Sequence, residues 1–257
     1  MIEKCRKLLI LGFVLLASAA AMRAQNSAPG AKTDAAEILK KAYLYHGGEK
    51  IDRIKTVEIK GKVTRVTTES EFDVKMLIDL SIGRVRFEEW EKGELITVSQ
   101  IERKAGKYAG WYFYKTGSDV IKNDEIDMVR SWSMVFVNIL NLRKKNLDSM
   151  KIYSADYPSG ETKFVKMVTI LNENSPETEI FNWLFDKNTF SLTGETFSFG
   201  GKTVLMLCSD FRDIDGVLFP KSCVSGENPP NTLFDLSTVK VNPKLTEKDW
   251  ENPGEQK

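Results

Sequence analysis

The 257-residue sequence contains a single histidine and three cysteines. These residues are too few to supply most zinc sites or a histidine-based catalytic triad. The chain also lacks an excess of charge of one sign, since 37 Lys and Arg residues oppose 36 Asp and Glu residues. Without a long basic run, it has no electrostatic means of binding nucleic acid. What is present is an ordinary globular composition, 42% hydrophobic and 28% charged, which argues against most enzymes.

A short apolar run near the N-terminus predicts a secretory signal peptide over residues 1–24. Lys4, Arg6 and Lys7 precede the apolar residues 8–16, and small residues follow. The run is too short to span a bilayer comfortably, and an uncleaved anchor is the alternative. No cysteine follows the run where a lipid could be attached. We therefore expect a soluble periplasmic protein, with no stable membrane span after cleavage and with a linker at 25–33.

The region after the linker is predicted to contain one helix and then many strands. Asp34 and Glu37 form a capping-box-like start of the helix, and Gly47 and Gly48 end it. Apolar and polar residues then alternate with the period of a half-buried strand. Short polar links between these segments favour antiparallel neighbours in one meander. Strands are expected near residues 56–64, 71–78, 84–91, 94–102, 109–115, 163–171, 179–185, 190–199, 203–211, 217–224 and 232–241.

Residues 124–145 depart from this alternation. Their apolar residues recur at intervals of three and four, which predicts an amphipathic helix of about six turns. A single sheet of about 10–11 strands is near the upper limit for an open twisted sheet and should curl. The predicted fold class is α+β but mainly β, a single curved antiparallel sheet with helices plugging its concave face. This domain spans residues 34–250. Residues 242–257 are expected to fray, and 251–257 form a polar tail.

Two cysteines remain once the predicted signal peptide is removed, and an oxidising compartment would favour their pairing. Asp215 and Gly216 lie between two apolar runs and predict a type I′ hairpin turn. Counting outward from that turn places Cys208 opposite Cys223, as a hydrogen-bonded pair with Cα atoms about 5.5 Å apart. The sequence is compatible with a disulfide here and also with two small buried thiols.

Aromatic residues recur on single faces of the predicted strands and on the predicted helix. Such a set can line a cavity that accepts lipid tails. The alternative is that these side chains only fill the core, where aromatic residues are common. The candidate groove residues are Trp111, Phe113, Trp132, Phe136, Ile139, Phe181, Trp183, Phe185, Phe197 and Phe199.

Three segments of the sequence resemble a known superfamily. Residues 181–189 read FNWLFDKNT, residues 210–220 read DFRDIDGVLFP, and residues 241–243 read VNP, with Trp250 and Pro253 following. In this order they are similar to the turn and hairpin motifs of the periplasmic lipoprotein-carrier superfamily, whose members are LolA-like and LolB-like outer-membrane lipoprotein-sorting proteins. The resemblance implies an unclosed antiparallel β-barrel, helices plugging its mouth, and an apolar cavity for acyl chains.

The function expected from these observations is a periplasmic carrier that binds a lipid or an acylated lipoprotein without catalysis. Inner-membrane or outer-membrane transfer proteins are the partners that the resemblance implies. No cofactor or metal is expected, because Asp210, Asp213 and Asp215 lack the remaining spaced ligands of a calcium site. His46 is expected to cap the first helix as a cation.

Two other functions are kept as alternatives to the carrier. The first is a periplasmic sensor or scaffold that binds a protein partner through the same fold. It predicts an exposed apolar patch or sheet edge and a small, filled cavity. The second is a hydrolase, against which the absence of a nucleophile–base constellation in the sequence argues.

Overall fold

The structure is a computed structural model, and it describes residues 35–105, 107–122, 135–144, 151–156, 164–171, 179–186, 188–199, 202–226 and 231–255. The predicted signal peptide and linker lie outside these residues, as does Trp132. Within the described part of the chain, no helix is long and apolar enough to cross a membrane.

Two short helices open the described chain. Helix α1 is Ala35–Tyr45 and helix α2 is Glu49–Asp52. The predicted stop at Gly47 and Gly48 is confirmed, and both glycines have positive φ angles, of 126° and 57°. At Gly47 a side chain would also collide with the chain, because a Cβ atom there would lie 2.5 Å from the carbonyl oxygen of Gly216.

Strands make up most of the remaining structure. Thirteen of them form one antiparallel sheet, and β12 and β13 form a separate two-stranded hairpin. The strands are β1 Thr56–Arg65, β2 Ser70–Asp79, β3 Arg84–Glu91, β4 Glu94–Lys104, β5 Lys107–Tyr114, β6 Gly117–Val120, β7 Lys151–Asp156, β8 Phe164–Leu171, β9 Glu179–Asp186, β10 Leu192–Phe199, β11 Lys202–Ser209, β12 Arg212–Ile214, β13 Val217–Phe219, β14 Ser222–Gly226 and β15 Thr232–Val241.

The predicted architecture, a single unclosed antiparallel sheet with few helices, is confirmed. The sheet has 13 strands where about 10–11 were expected, and the two additional strands are β6 and β7. Strand β6 reads GSDV, a turn-like composition, and its pairing with β5 gives it an extended conformation. Strand β7 has only six residues, too few for the alternation to be distinctive.

The strand order differs from the single meander that we expected. Strands β1 to β6 form one meander, and β7 to β11 with β14 and β15 form a second. The two meanders join where β1 pairs with β15, so the first and last of the described strands lie side by side. The edges of the described sheet are β6 and β7, which are consecutive strands. The chain therefore passes from one edge to the other between residues 120 and 151.

The predicted helix 124–145 is described only in part. Residues 123–134 and residue 145 lie outside the described residues, and Val135–Leu142 is a 3₁₀ helix, which we call the cover helix. The expectation of an α-helix is wrong over this range. β-Branched residues at alternate positions disfavour an α-helix slightly, and the i,i+3 spacing of a 3₁₀ helix brings Asn138 and Asn141 together. Asn141 Nδ2 donates to Asn138 Oδ1 at 3.2 Å.

The cover helix and helices α1 and α2 pack against one face of the sheet, which we call the inner face. The cover helix contacts α1, α2, β10 and β13. The main core cluster joins Ile51, Ile139 and Leu140 to the inner-face residues of the first meander and of β11 to β15. A second cluster holds α1 against β9 and β10, and its buried members are Ile38, Leu39, Ala42, Leu142, Trp183, Phe185 and Leu192.

The opposite, outer face of β3 to β5 is covered by residues 247–255. Trp250 is buried there, with the guanidinium of Arg84 5.2 Å from the centre of its ring. Arg86 donates to the carbonyl oxygen of Glu251 at 2.9 Å. Over residues 247–255, the expectation that the C-terminal stretch frays is therefore wrong, because buried aromatic surface and hydrogen bonds hold it to the sheet.

Candidate functional site

The predicted hairpin around Asp215 and Gly216 is present, and it folds back on the sheet. Ile214 pairs with Val217, and the same outward count places Cys208 opposite Cys223. Strands β12 and β13 are not part of the sheet. The chain has the same number of residues on either side of the Asp215-Gly216 turn, so the pairing register counted from the turn also holds between β11 and β14. Arg212 fixes the hairpin to β15 by donating to the carbonyl oxygens of Leu236 and Ser237, at 2.7 and 2.9 Å.

Cys208 and Cys223 are joined by a disulfide in the structure. It links β11 to β14 at the base of the β12–β13 hairpin. The Cα atoms are 4.0 Å apart, which is nearer the spacing of a non-hydrogen-bonded pair, about 4.5 Å, than the spacing of about 5.5 Å that was expected for a hydrogen-bonded pair.

His46 connects α1 to this hairpin and to β10. Its Nδ1 lies 3.2 Å from the carbonyl oxygen of Leu218, and the backbone N–H of Leu192 donates to its Nε2 at 2.9 Å. Because Nε2 accepts, the ring proton is on Nδ1 and the imidazole is neutral. Burial lowers the pKa of His46 to about 4, although the bond to Leu218 opposes this shift. The expectation of a cationic helix cap is wrong, since a fully buried ring cannot carry an unpaired charge cheaply.

A small cavity lies between the cover helix and the inner face of the sheet, next to this connection. It offers about 10 Å³ to the centre of a water molecule, which is room for about one water. Ile139 is the member of the predicted groove set that lines it. The other lining residues are Asn138, Leu192, Thr193, Gly194, Glu195, Met206, Cys208, Phe211 and Pro220.

Glu195 is the polar centre of this cavity wall. The residue is only 1% exposed, and it lies opposite Trp183 on β9 and opposite Met206 on β11. Neither carboxyl oxygen has a hydrogen-bond partner among the described residues. Burial raises the pKa of Glu195 to about 7, and the Asn138 side chain of the cover helix partly offsets this shift. Burial therefore favours the neutral, protonated form of this carboxyl group.

Other polar atoms near Glu195 are also without partners within the described structure. They are the indole Nε1 of Trp183 and the hydroxyl of Ser225, which is opposite Met206 on β14. Buried polar atoms usually have hydrogen-bond partners, and a group of exceptions requires a specific explanation. Sequence inspection missed Glu195, although a signal was present. Glu195, Phe197 and Phe199 are spaced two residues apart and therefore lie on the same face of the strand. Glu195 thus places a carboxylate on a face that was predicted to be apolar.

The structure brings together some of the predicted groove residues and separates others. Trp183 and Phe185 are fully buried in the α1 cluster, with ring centroids 6.2 Å apart. Trp111 and Phe113 lie on the outer face, because their neighbours along the strand face inward: Gly110 meets the inner residues Ile101 and Ile121, and Tyr112 packs against the main core cluster. The side chains of Trp132, Phe136, Phe181, Phe197 and Phe199 lie outside the described part of the structure.

Trp111 belongs instead to a polar groove on the outer face. The Arg86 guanidinium lies 5.5 Å from the centre of its ring, and Arg86 donates to buried Glu88 at 2.6 Å. The groove has a volume of about 320 Å³ and is lined by Arg84, Gln100, Glu102, Lys104, Trp111, Glu247, Trp250, Glu251 and Asn252. Its lining is polar and charged, unlike that expected of an acyl-chain site.

Among the described residues, no group of three or more His, Cys, Asp or Glu side chains could hold a metal ion.

Comparisons with known proteins identify the fold. No family model matches the sequence, and no curated protein matches it. Among solved structures, a DUF1329 family protein from Desulfovibrio piger has a TM-score of 0.55 at 9% identity, covering 84% of this chain and 96% of its own.

Two further solved structures have a similar fold. An outer membrane lipoprotein-sorting protein domain from Vibrio parahaemolyticus has a TM-score of 0.52 at 12% identity, over 82% of this chain and 95% of its own. A LolA superfamily protein from Nitrosomonas europaea has a TM-score of 0.53 at 14% identity, over 85% and 97%. The fold resemblance expected from the sequence motifs is confirmed. At these identities the likeness concerns the fold.

Proposed function

We propose that this chain is a periplasmic carrier that binds an acyl chain of a lipid or a lipoprotein between its cover helix and the inner face of its sheet, without catalysis. The observation that carries the proposal is the architecture, an unclosed antiparallel sheet whose inner face is covered by short helices. The similar structures include one described as lipoprotein-sorting and one of the LolA superfamily. An open sheet with a removable cover provides an apolar site that a chain can enter from the side.

Binding requires the cover helix to move, because the cavity beneath it has room for about one water molecule. Moving the helix would expose Ile139, Leu140 and Leu142, which are buried against the sheet and α1. Exposing three such side chains costs roughly 6 kcal/mol, at about 2 kcal/mol each. Burying an acyl chain of twelve methylenes returns roughly 10 kcal/mol before ordering costs. A bound acyl chain can therefore offset the cost of moving the cover helix away from the inner face.

Native mass spectrometry of the chain, purified from a secreting host without detergent, tests this proposal. We expect an additional mass in the range of a lipid or acylated peptide that is lost on organic extraction. Trp183 fluorescence should then change when a dodecanoyl lipid is added back, because Trp183 is the cross-strand neighbour of Glu195, which lines the cavity. A chain that carries no lipid and binds none of the added lipids would contradict the carrier function.

A protein-binding sensor or scaffold is the second candidate, and two observations favour it. The cavity is small, and edge strand β6 is exposed along its length, with Val120 78% exposed. An exposed edge strand can pair with a strand of another protein. Crosslinking in the periplasm followed by affinity purification distinguishes the two functions. One recurring protein partner, lost when Val120 is changed to Lys and recovered without lipid, would support this second function.

A further inference from the structure

Glu195 occupies a position in the interior where a glutamate is costly. It lies on the inner face of β10, between Trp183 and Met206, and the cover helix closes over it. Burying a carboxyl group without hydrogen-bond partners destabilises a fold, and an ionised one does so more strongly. Within the described chain neither oxygen has a partner, and the indole N–H of Trp183 is equally unpaired. These groups therefore leave hydrogen-bonding capacity that a guest molecule in the cavity could use.

The composition of the cavity wall defines the kind of guest that could use this capacity. Ile139, Leu192, Met206, Phe211 and Pro220 give it an apolar surface. The polar atoms are the carboxyl group of Glu195 and the amide of Asn138. The Asn138 oxygen already accepts from Asn141, so its nitrogen is the donor that lies near Glu195. A complementary guest is mostly apolar and carries an N–H or O–H donor, together with an acceptor such as a carbonyl oxygen.

We propose that Glu195 is the specificity-determining residue for the polar end of the bound acyl chain, and that it selects uncharged amide ends over anionic ends. This inference rests on the carrier function proposed above. An acyl amide N–H donates to Glu195, while its carbonyl oxygen accepts from Asn138 or Trp183. A carboxylate or phosphate end would place a second negative charge beside Glu195 in surroundings of low dielectric, where like charges repel strongly. The amide of an N-acylated polypeptide and that of a free lipid amide share this chemistry.

The test measures binding of three probes to the full chain by isothermal titration calorimetry at pH 8, below the micelle concentration of each probe. The probes are N-dodecanoyl ethanolamide, N-dodecanoyl-alanyl-alanine amide and dodecanoate. The variants are Glu195→Gln, which removes the charge and keeps the shape, and Glu94→Gln as the matched control. Glu94 is an exposed glutamate that forms an ion pair with Lys115 on the surface. If Glu195→Gln is shown by circular dichroism not to fold, Glu195→Met takes its place.

We expect the unaltered chain and Glu94→Gln to bind an amide probe at least about tenfold more tightly than dodecanoate. In Glu195→Gln this preference should shrink to within about threefold, mainly because dodecanoate binds better once the charge is gone. Comparing the preference between variants removes the difference in solubility between the probes. Tight binding of both amide probes indicates recognition of any lipid amide, and binding of the dipeptide probe alone indicates an acylated polypeptide.

The same preference in Glu195→Gln as in the unaltered chain would overturn the role of Glu195 and leave the carrier function intact. Tighter binding of dodecanoate than of both amides to the unaltered chain would do the same. If none of the three probes binds, the carrier function fails, and the inference fails with it.

Discussion

His46 and Glu195 are both buried titratable residues near the cavity, and their surroundings differ in one respect. His46 accepts a hydrogen bond from Leu192, which lines the cavity, and Glu195 lines it directly. Both ring nitrogens of His46 are paired with backbone groups, one from the β12–β13 hairpin and one from β10. Neither carboxyl oxygen of Glu195 is paired among the described residues. Burial moves both groups toward the neutral form, lowering the pKa of His46 to about 4 and raising that of Glu195 to about 7.

The difference indicates that equal burial serves two purposes. A buried polar group with every hydrogen bond made holds elements in place, and His46 holds α1, the hairpin and β10 together. A buried polar group with none made lowers stability, and such groups are concentrated at binding sites. From this difference in hydrogen bonding we infer that the His46 region is structural and that the Glu195 region is a candidate ligand-binding site. Substitutions at the two residues should therefore have effects of opposite sign.

The largest expected effect is the loss of stability on changing His46 to Ala. The substitution leaves the Leu192 N–H and the Leu218 carbonyl buried without partners, at roughly 1–3 kcal/mol each. We expect the free energy of unfolding at pH 7.5 to fall by about 3–5 kcal/mol, measured by urea denaturation with unchanged m-value. Leu44→Ala, two residues away and 61% exposed, should change stability by less than about 0.5 kcal/mol. Similar losses in the two variants would contradict the structural role of His46.

The pH dependence of stability should separate the two residues. His46 has a folded pKa below its ordinary value of 6.5, so its unfolded state binds the proton first and stability falls as the pH drops from 6.5 to 4. Glu195 has a folded pKa above its ordinary value of 4.5, so stability falls as the pH rises from 4.5 to 7. Each contribution is about 3 kcal/mol, and between pH 4.5 and 6.5 they oppose each other.

Urea denaturation across pH 4–8 tests this opposition. Relative to the unaltered chain, Glu195→Gln should gain about 3 kcal/mol as the pH rises from 4.5 to 7, whereas His46→Gln should lose about as much between pH 4 and 6.5. Parallel curves for all three proteins would show that neither residue is the source of the pH dependence.

The smallest expected effect is a gain in stability on changing Glu195 to Leu. Replacing an unpaired buried carboxyl by an apolar side chain of similar size should raise the free energy of unfolding by about 1–2 kcal/mol at pH 7.5. Thermal unfolding by circular dichroism measures this, with Glu94→Leu as the exposed control. A loss of stability in Glu195→Leu would indicate that Glu195 has a structural partner.

Much of the sheet could be predicted from the sequence, because a half-buried strand imposes a period of two. Strands such as β1 and β2 show this alternation clearly, and the Asp215-Gly216 turn fixed the pairing of Cys208 with Cys223. The pairing of β1 with β15 could not be predicted, because the sequence of neither strand indicates which distant strand it pairs with. The cover helix was misassigned because intervals of three and four fit a 3₁₀ helix nearly as well as an α-helix over eight residues.

The candidate site was harder to predict than the fold. Alternation assigned Trp111 and Phe113 to one face of β5 correctly, but it could not show that this face is covered by residues 247–255. The recurrence of aromatic residues on single strand faces gave no indication of the buried carboxyl group of Glu195. The informative feature of β10 was a polar residue, Glu195, at the same alternating positions as apolar residues. A buried carboxyl group must either have hydrogen-bond partners or lower the stability of the fold for the sake of a function.

The pairing of β1 with β15 determines when, during synthesis, the sheet can complete its folding. During synthesis, the first six strands leave the ribosome well before β15, which supplies the neighbour of both β1 and β14. Until then β1 has an unsatisfied hydrogen-bonding edge, and contacts between such distant segments form slowly. A chain that stops short of Thr232 would consist of two half-sheets without a common centre. The native sheet therefore forms only after β15 has been translated.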